Sequence, residues 1–495
     1  LTESSKNKIR TSALAASALL ALVLWRIAFA RVFEGWFLWD DPRFRAVSPL
    51  SFSDFFYWFG TAVDDNGYYR PFARLLWSWS SALGATEFAH FQRVSFALLG
   101  GTTAFLYYTI SRLFGNRPVA LAAACGFALA GVHLKTLLWT SVWFHEASCF
   151  FASANLALLV MHYEKRRAWA RPLSLAALFL AYSTNNGMHS WALVPLILDF
   201  VFSSKDKDET LPSWLKKVLW KAKDHLLLSA AVFTFIYLLH DPFLQQRDMV
   251  AWTLHGNAKA FALYVASSIA HPWGDGPAYT AYPLWLSALT ALTIFTALVG
   301  FLFDRKMLIA SAALVGAAFV ISLLHGRWQV EYSIPVGMAV ALLQGGAVSL
   351  AIKRLPQLGW LLAPAWIFGC FHVTSEIVAP VFVQSYLADS KVSEAFVESI
   401  KKLDAEEKPG RIFVLSEMKG QRLRSAANAH FLRPAVLLYT PGRAFFLDSK
   451  LFQTGEDFGL EEVSSPWVKK VLSQAADPLY LLCGDYGCER AEGRR

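Results

Sequence analysis

Trp39-Asp40-Asp41-Pro42 places two adjacent carboxylates at the end of an apolar segment, where a chain leaving a membrane meets water. Upstream, residues 2–10 are polar and include Lys6, Lys8 and Arg10, and residues 11–31 are apolar. A helix of about 20 apolar residues crosses the roughly 30 Å hydrocarbon core of a bilayer. Residues 11–31 are therefore expected to form a first span with the N-terminus inside. The stretch is too long for the apolar part of a signal peptide and lacks a small-residue cleavage site. Downstream, the same outer loop (residues 32–88) contains Asp64-Asp65-Asn66-Gly67-Tyr68-Tyr69-Arg70-Pro71. Its two aromatic stretches, residues 53–59 and 72–83, are too short to span and read as helices lying on the membrane surface.

Outward from this loop, apolar runs alternate with basic connections. Residues 89–111 run to Arg112 and Arg117, 118–132 return to His133, and 144–161 run to Lys165-Arg166-Arg167 and Arg171. Residues 172–184 come out to Asn185-Asn186-Gly187-Met188-His189, and 190–202 go back. Residues 203–224 interleave Lys205, Lys207, Lys216, Lys217, Lys221 and Lys223 with Trp214 and Trp220. That is the pattern of an amphipathic helix on an anionic inner leaflet; a solvated loop is the other reading. Residues 225–239, 282–303, 307–324, 331–352 and 358–378 complete a set of about eleven spans, with the C-terminus outside. Each inner connection is basic, as topology requires.

Composition agrees with this class. The chain is 55% hydrophobic and 17% charged, whereas soluble chains are about 45–50% apolar and about 25% charged. The net charge of +9 is absorbed by the inner connections, so it does not argue for nucleic acid. Five cysteines are too few for a disulfide scaffold. Cys483 and Cys488, flanking Gly484-Asp485-Tyr486-Gly487, could close a small loop if the tail is extracytoplasmic. The tail contains Arg411-Ile412-Phe413-Val414-Leu415, Ala435-Val436-Leu437-Leu438-Tyr439 and Leu479-Tyr480-Leu481-Leu482, which read as buried strands. The expected architecture is a polytopic α-helical membrane domain over residues 1–378 and a small extracytoplasmic α/β domain over 379–495.

Candidate chemistry collects on the outer side. Asp40 and Asp41 could take a proton from an acceptor hydroxyl or bind a divalent metal; a solvated helix end is the plainer reading. Arg70 precedes Pro71, a good first helical residue. It suits a phosphate or carboxylate, or an ion pair with Asp64 or Asp65. His133 and Lys135, followed by His145 and Glu146, could bracket a leaving phosphate, or His133 could simply sit in the interface. Arg327, Glu331 and Tyr332 open a span on the same side, with Arg327 reaching a lipid phosphate or pairing with Glu331. GxSxG, HExxH and Walker motifs are absent from the sequence, and acids in mid-span are scarce, which disfavours hydrolases, nucleotide-driven pumps and proton-coupled transporters.

Trp39-Asp40-Asp41, Tyr69-Arg70-Pro71 and the segment from His133 to Trp139 resemble the GT-C superfamily of polytopic glycosyltransferases. The likeness is strongest to the protein O-mannosyltransferase branch and its tetratricopeptide-bearing relatives. Those relatives often carry His-Pro-x-His-x-Glu before the tryptophan; here Ala130, Gly131 and Lys135 stand in the corresponding places. The resemblance implies transfer of a sugar from a polyprenyl-phosphate carrier to an acceptor hydroxyl of a protein, glycan or lipid. Asp41 or Asp40 would be the base, and Arg70, Arg327, His133 and Lys135 would hold the phosphate. Asp64, Asp65, Tyr69, His145, Glu146, Glu331 and Tyr332 would support them. Implied partners are the lipid-linked donor, an extracytoplasmic acceptor, membrane lipids and a membrane protein partner. The implied location is a bacterial inner (plasma) membrane. A catalytically inactive GT-C-like accessory subunit and a lipid-linked sugar transporter are the alternatives.

Overall fold

The computed structural model describes residues 3–37, 70–84, 88–185, 188, 191–203, 209–239, 263, 265, 295, 299–300, 302–320, 333–355, 357–407, 412–418, 435–436, 439–440, 445–447, 478–484 and 486–491. Helices dominate. They are α1 (Glu3–Ala28), α2 (Pro71–Gly84), α3 (Phe88–Phe114), α4 (Arg117–Ala128), α5 (His133–Leu138), α6 (Phe144–Lys165) and α7 (Ala170–Thr184). Then come α8 (Leu193–Phe202), α9 (Leu211–Leu239), α10 (Met307–Leu314), α11 (Ser333–Ala351), α12 (Leu358–His372) and α13 (Ala379–Glu406). Among the described residues, Phe88–Phe114, Phe144–Lys165, Ser333–Ala351 and Leu358–Glu376 are long and apolar enough to cross a membrane. Shorter apolar helices include Ala15–Ala28, Arg117–Ala128, Leu193–Phe202 and Met307–Ala317.

Local chemistry explains the ends. Pro71 opens α2, as its fixed φ and missing N–H favour. Asn116 caps α4 by accepting from the Val119 N–H at 3.2 Å, with Pro118 in the first turn. The basic segment over 203–224 and the apolar run over 225–239 are not two elements: α9 runs unbroken from Leu211 to Leu239. Backbone hydrogen bonds continue through the change in side-chain polarity. Likewise α12 passes through a π-helical stretch, Val373–Val378, directly into α13.

Where the start of α7 and the end of α8 meet the middle of α9, a polar cluster joins the helices. Arg171 lies 3.6 Å from Asp199 and 3.4 Å from Asp224, and donates to the Lys221 carbonyl. Ser174 links Asn155, which donates to its carbonyl at 2.9 Å, to His225 at 3.1 Å. Elsewhere the bundle closes through small residues. A Cβ on Gly345 of α11 would lie 2.6 Å from Ile110 of α3 and 3.2 Å from Ala123 of α4. Gly345→Val should therefore cost about 1–3 kcal/mol by overpacking, seen as a lower melting temperature in detergent; an unchanged melt would show that α11 can shift freely.

The tail forms a sheet of order β2-β1-β3-β4, from β1 (Phe413–Met418), β2 (Phe445–Leu447), β3 (Leu479–Gly484) and β4 (Gly487–Arg490). β2 and β3 flank β1 in parallel, and β4 returns antiparallel to β3. Ala435, Val436 and Tyr439, expected in a strand, are helical. The Cys483–Cys488 disulfide closes the β3–β4 hairpin. Replacing both cysteines by serine should cost about 2 kcal/mol, from the chain entropy of so short a loop. Limited proteolysis would read this as faster cleavage of the tail, and equal rates would refute it. The tail shares its core with the bundle: buried Phe396, Ile400, Phe413, Leu415 and Leu481 belong to one apolar cluster with Leu134, Leu137 and Leu138 of α5.

Candidate active site

Helix α5 fills the turn between α4 and α6, and its faces have different partners. Leu134, Leu137 and Leu138 face the cluster shared with α13 and the sheet. His133 and Thr136, three residues apart and so on one side of the helix, reach Glu146 in the first turn of α6. His133 Nδ1 is 2.7 Å from Glu146 Oε1, and the Thr136 hydroxyl donates to that same oxygen at 2.8 Å. His133 Nε2 is 2.8 Å from the Phe127 carbonyl. All three side chains are buried. A carboxylate near the N-terminus of α6 is also favoured by the helix dipole.

Counting protons on this geometry gives the charge of the pair. A carbonyl can only accept, so Nε2 carries a proton. The 2.7 Å contact between Nδ1 and Oε1 needs one more proton between them. The pair is therefore net neutral, whether it is imidazolium–carboxylate or imidazole–carboxylic acid. Glu146 Oε2 is buried and makes no hydrogen bond among the described residues.

Lys135 shares α5 with His133, and Arg70 reaches the first residue of α6. Lys135 is buried, with Nζ 5.3 Å from the centre of the Trp139 ring. Arg70, half-buried just before Pro71, sets its guanidinium 4.0 Å from the centre of the Phe144 ring. That is close enough for a cation–π contact. Phe144 and His145 have ring centres 4.3 Å apart, and Asn185 donates its amide to His145 Nδ1 at 3.0 Å. Neutral His145 then carries its proton on Nε2.

Five of the sequence-derived candidates, Arg70, His133, Lys135, His145 and Glu146, thus meet around the start of α6 and one end of α2. Asp40, Asp41, Asp64, Asp65, Tyr69, Arg327, Glu331 and Tyr332 lie outside the described residues. Thr136 and Asn185 join the constellation without having been singled out; the spacing of Thr136 from His133 was the available signal. Among the described residues no group of three His, Cys, Asp or Glu side chains could hold a metal ion.

No family model matches the sequence, and no curated protein does. Solved structures do. The apo crystal structure of ArnT from Cupriavidus metallidurans aligns over 96% of this chain and 93% of its own, with a TM-score of 0.55 at 13% identity. The chain has the fold of ArnT. The same enzyme bound to undecaprenyl phosphate aligns over 95% of this chain and 93% of its own, with a TM-score of 0.52. The oligosaccharyltransferase AglB from Archaeoglobus fulgidus, in complex with an inhibitory peptide and a dolichol-phosphate, aligns more loosely, with a TM-score of 0.47 at 12% identity over 89% of this chain and 65% of its own. The likeness to ArnT agrees with the GT-C fold expected from the resemblance and does not single out the O-mannosyltransferase branch. Together with the apolar helices, it makes this chain an integral membrane protein.

Proposed function

We propose that this protein is a glycosyltransferase that moves a sugar from a polyprenyl-phosphate carrier to an acceptor hydroxyl on the extracytoplasmic face. The observation that carries the reading is the fold shared with ArnT along 95% of the chain, in an enzyme seen bound to undecaprenyl phosphate. Support comes from the cations Arg70 and Lys135, gathered at the ends of α2 and α5 opposite the basic connections. In the reaction, the acceptor oxygen attacks the anomeric carbon while the bond to the carrier phosphate breaks. The phosphate leaves with the bonding electrons, and the acceptor proton passes to Asp41 or Asp40. A single displacement of this kind inverts the anomeric centre.

Arg70, Lys135 and Arg327 neutralise the charge growing on the leaving phosphate. His133 has both ring nitrogens engaged by Glu146 and Phe127, so its part is to fix α5 and with it Lys135. His145 and Glu146 support the start of α6, and the resemblance alone gives Asp64, Asp65, Tyr69, Glu331 and Tyr332 supporting roles.

The test is release of free carrier from a panel of radiolabelled polyprenyl-phosphate sugars, mannose included, by the protein in lipid with an acceptor extract. Turnover with one donor supports the reading. No turnover with any donor would favour an inactive accessory subunit. With a donor in hand, Lys135→Ala should lower kcat/KM about 10–10²-fold, the worth of one charge-assisted contact. An unchanged value would remove Lys135 from the phosphate site.

A further inference from the structure

Away from the candidate site, at the basic ends of the helices, α11 and α12 both pack on α4 and leave a gap between themselves. The gap is a groove of about 400 Å³ whose floor is Val119, Ala122 and Ala123 and whose walls include Val348, Leu362 and Trp366. It is deep because its floor is built from alanines. Gly126 continues that floor, and a Cβ there would lie 2.6 Å from the Trp366 indole nitrogen. At about 1.5 Å per residue, the lining begins about 3 Å below the start of α4 and reaches about 12 Å along α12. That is the depth of the first carbons of an acyl chain whose headgroup lies level with the helix ends.

At that level the end of α4 and the end of α11 that border the groove carry positive charge. Arg117 opens α4, and Lys353 and Arg354 follow α11; all three are exposed. Gly359, at the start of α12, packs against Asn116 beside Arg117, which brings the three helix ends together.

We infer that this groove holds one acyl chain of an anionic phospholipid, with its phosphate on Arg117, Lys353 and Arg354. Charge complementarity selects the headgroup, and the alanine floor selects a chain over a bulky ring system. The bilayer leaflet on this side supplies such lipids at high density, and each cation near an anionic surface adds to their attraction. The site is separate from the sugar-transfer reading and stands or falls without it.

The test is native mass spectrometry of the detergent-purified full chain, titrated with phosphatidylglycerol, phosphatidylcholine or undecaprenyl phosphate. Phosphatidylglycerol is expected to bind at least tenfold more tightly than phosphatidylcholine. The triple variant Arg117→Gln, Lys353→Gln, Arg354→Gln should lose that preference. Ala122→Phe, which fills the groove from its floor, should lose phosphatidylglycerol at an unchanged surface charge. Size-exclusion profiles and melting temperatures show that each variant is folded, and if Ala122→Phe misfolds the triple variant alone decides. Equal binding of the two phospholipids, preference retained in the triple variant, or undecaprenyl phosphate displacing phosphatidylglycerol at equal concentration would overturn the assignment.

Discussion

Glu146→Ala is expected to destabilise the protein by about 3–5 kcal/mol, the cost of leaving a buried charged or polar partner alone. His133 would then face an empty space with Nδ1 unpaired while Nε2 stays bound to the Phe127 carbonyl. His133→Ala should cost a similar amount, because it strands the Glu146 carboxyl, which is 0% exposed. The double replacement His133→Leu, Glu146→Met should cost less than either single one, since neither member of the pair is left stranded, the Phe127 carbonyl keeps the Ala130 N–H at 3.0 Å and the Thr136 hydroxyl keeps the His133 carbonyl at 3.0 Å. A third variant follows from the proton count. In Glu146→Gln the amide N–H supplies the proton that lies between the two side chains. His133 can then be neutral, and Thr136 can turn its own proton to the His133 carbonyl, 3.0 Å away. Glu146→Gln should therefore melt close to wild type. Thermal melts in detergent decide the matter: the expected order is wild type, Gln variant, double variant, single alanines. Alanine variants that melt with wild type would mean that the pair is hydrated and contributes little.

That pair also marks the boundary of what the sequence could disclose. Long apolar periods with basic ends are local signals, so the start of α6 at Phe144 and the run of α3 around residues 89–111 were legible. Pro71 announced α2 for the same reason. Continuity was not legible. The polar change within α9 looks like a boundary, yet a helix ends only when its backbone bonds lack successors, and here they have them. The segment Ala435-Val436 has the apolar character of a strand, but it packs into the cluster shared with α13 as a helix, a choice made by tertiary contact rather than propensity. At the site, residue types were visible and roles were not. His133 and Lys135 are two apart in sequence, and only the approach of α6 turns His133 inward to Glu146, thirteen residues on. Asn185 meets His145 across a separation of 40 residues, which no local pattern announces.

The second large effect belongs to the acidic pair from which the chain was first read. If Asp41 accepts the acceptor proton, Asp41→Asn should lower kcat for carrier release about 10²–10⁴-fold, the usual worth of base assistance. On that reading KM for the donor should change little, because cations and the carrier tail, rather than the base, would hold the donor. Asp40→Asn should then show a smaller loss, as a neighbour that orients the first carboxylate. If Asp40 is the base, the two results exchange places. The nature of the acceptor sharpens the test. A carrier phosphate is a good leaving group, so proton removal contributes most when the acceptor hydroxyl is least acidic. The Asn variant should recover part of its rate with a more acidic acceptor alcohol, and it should recover none with a better-bound donor. An equal loss with all acceptors, joined to a raised donor KM, would assign the pair to holding the donor or a divalent cation instead. Turnover surviving both substitutions would move the active site away from residues 40 and 41 altogether.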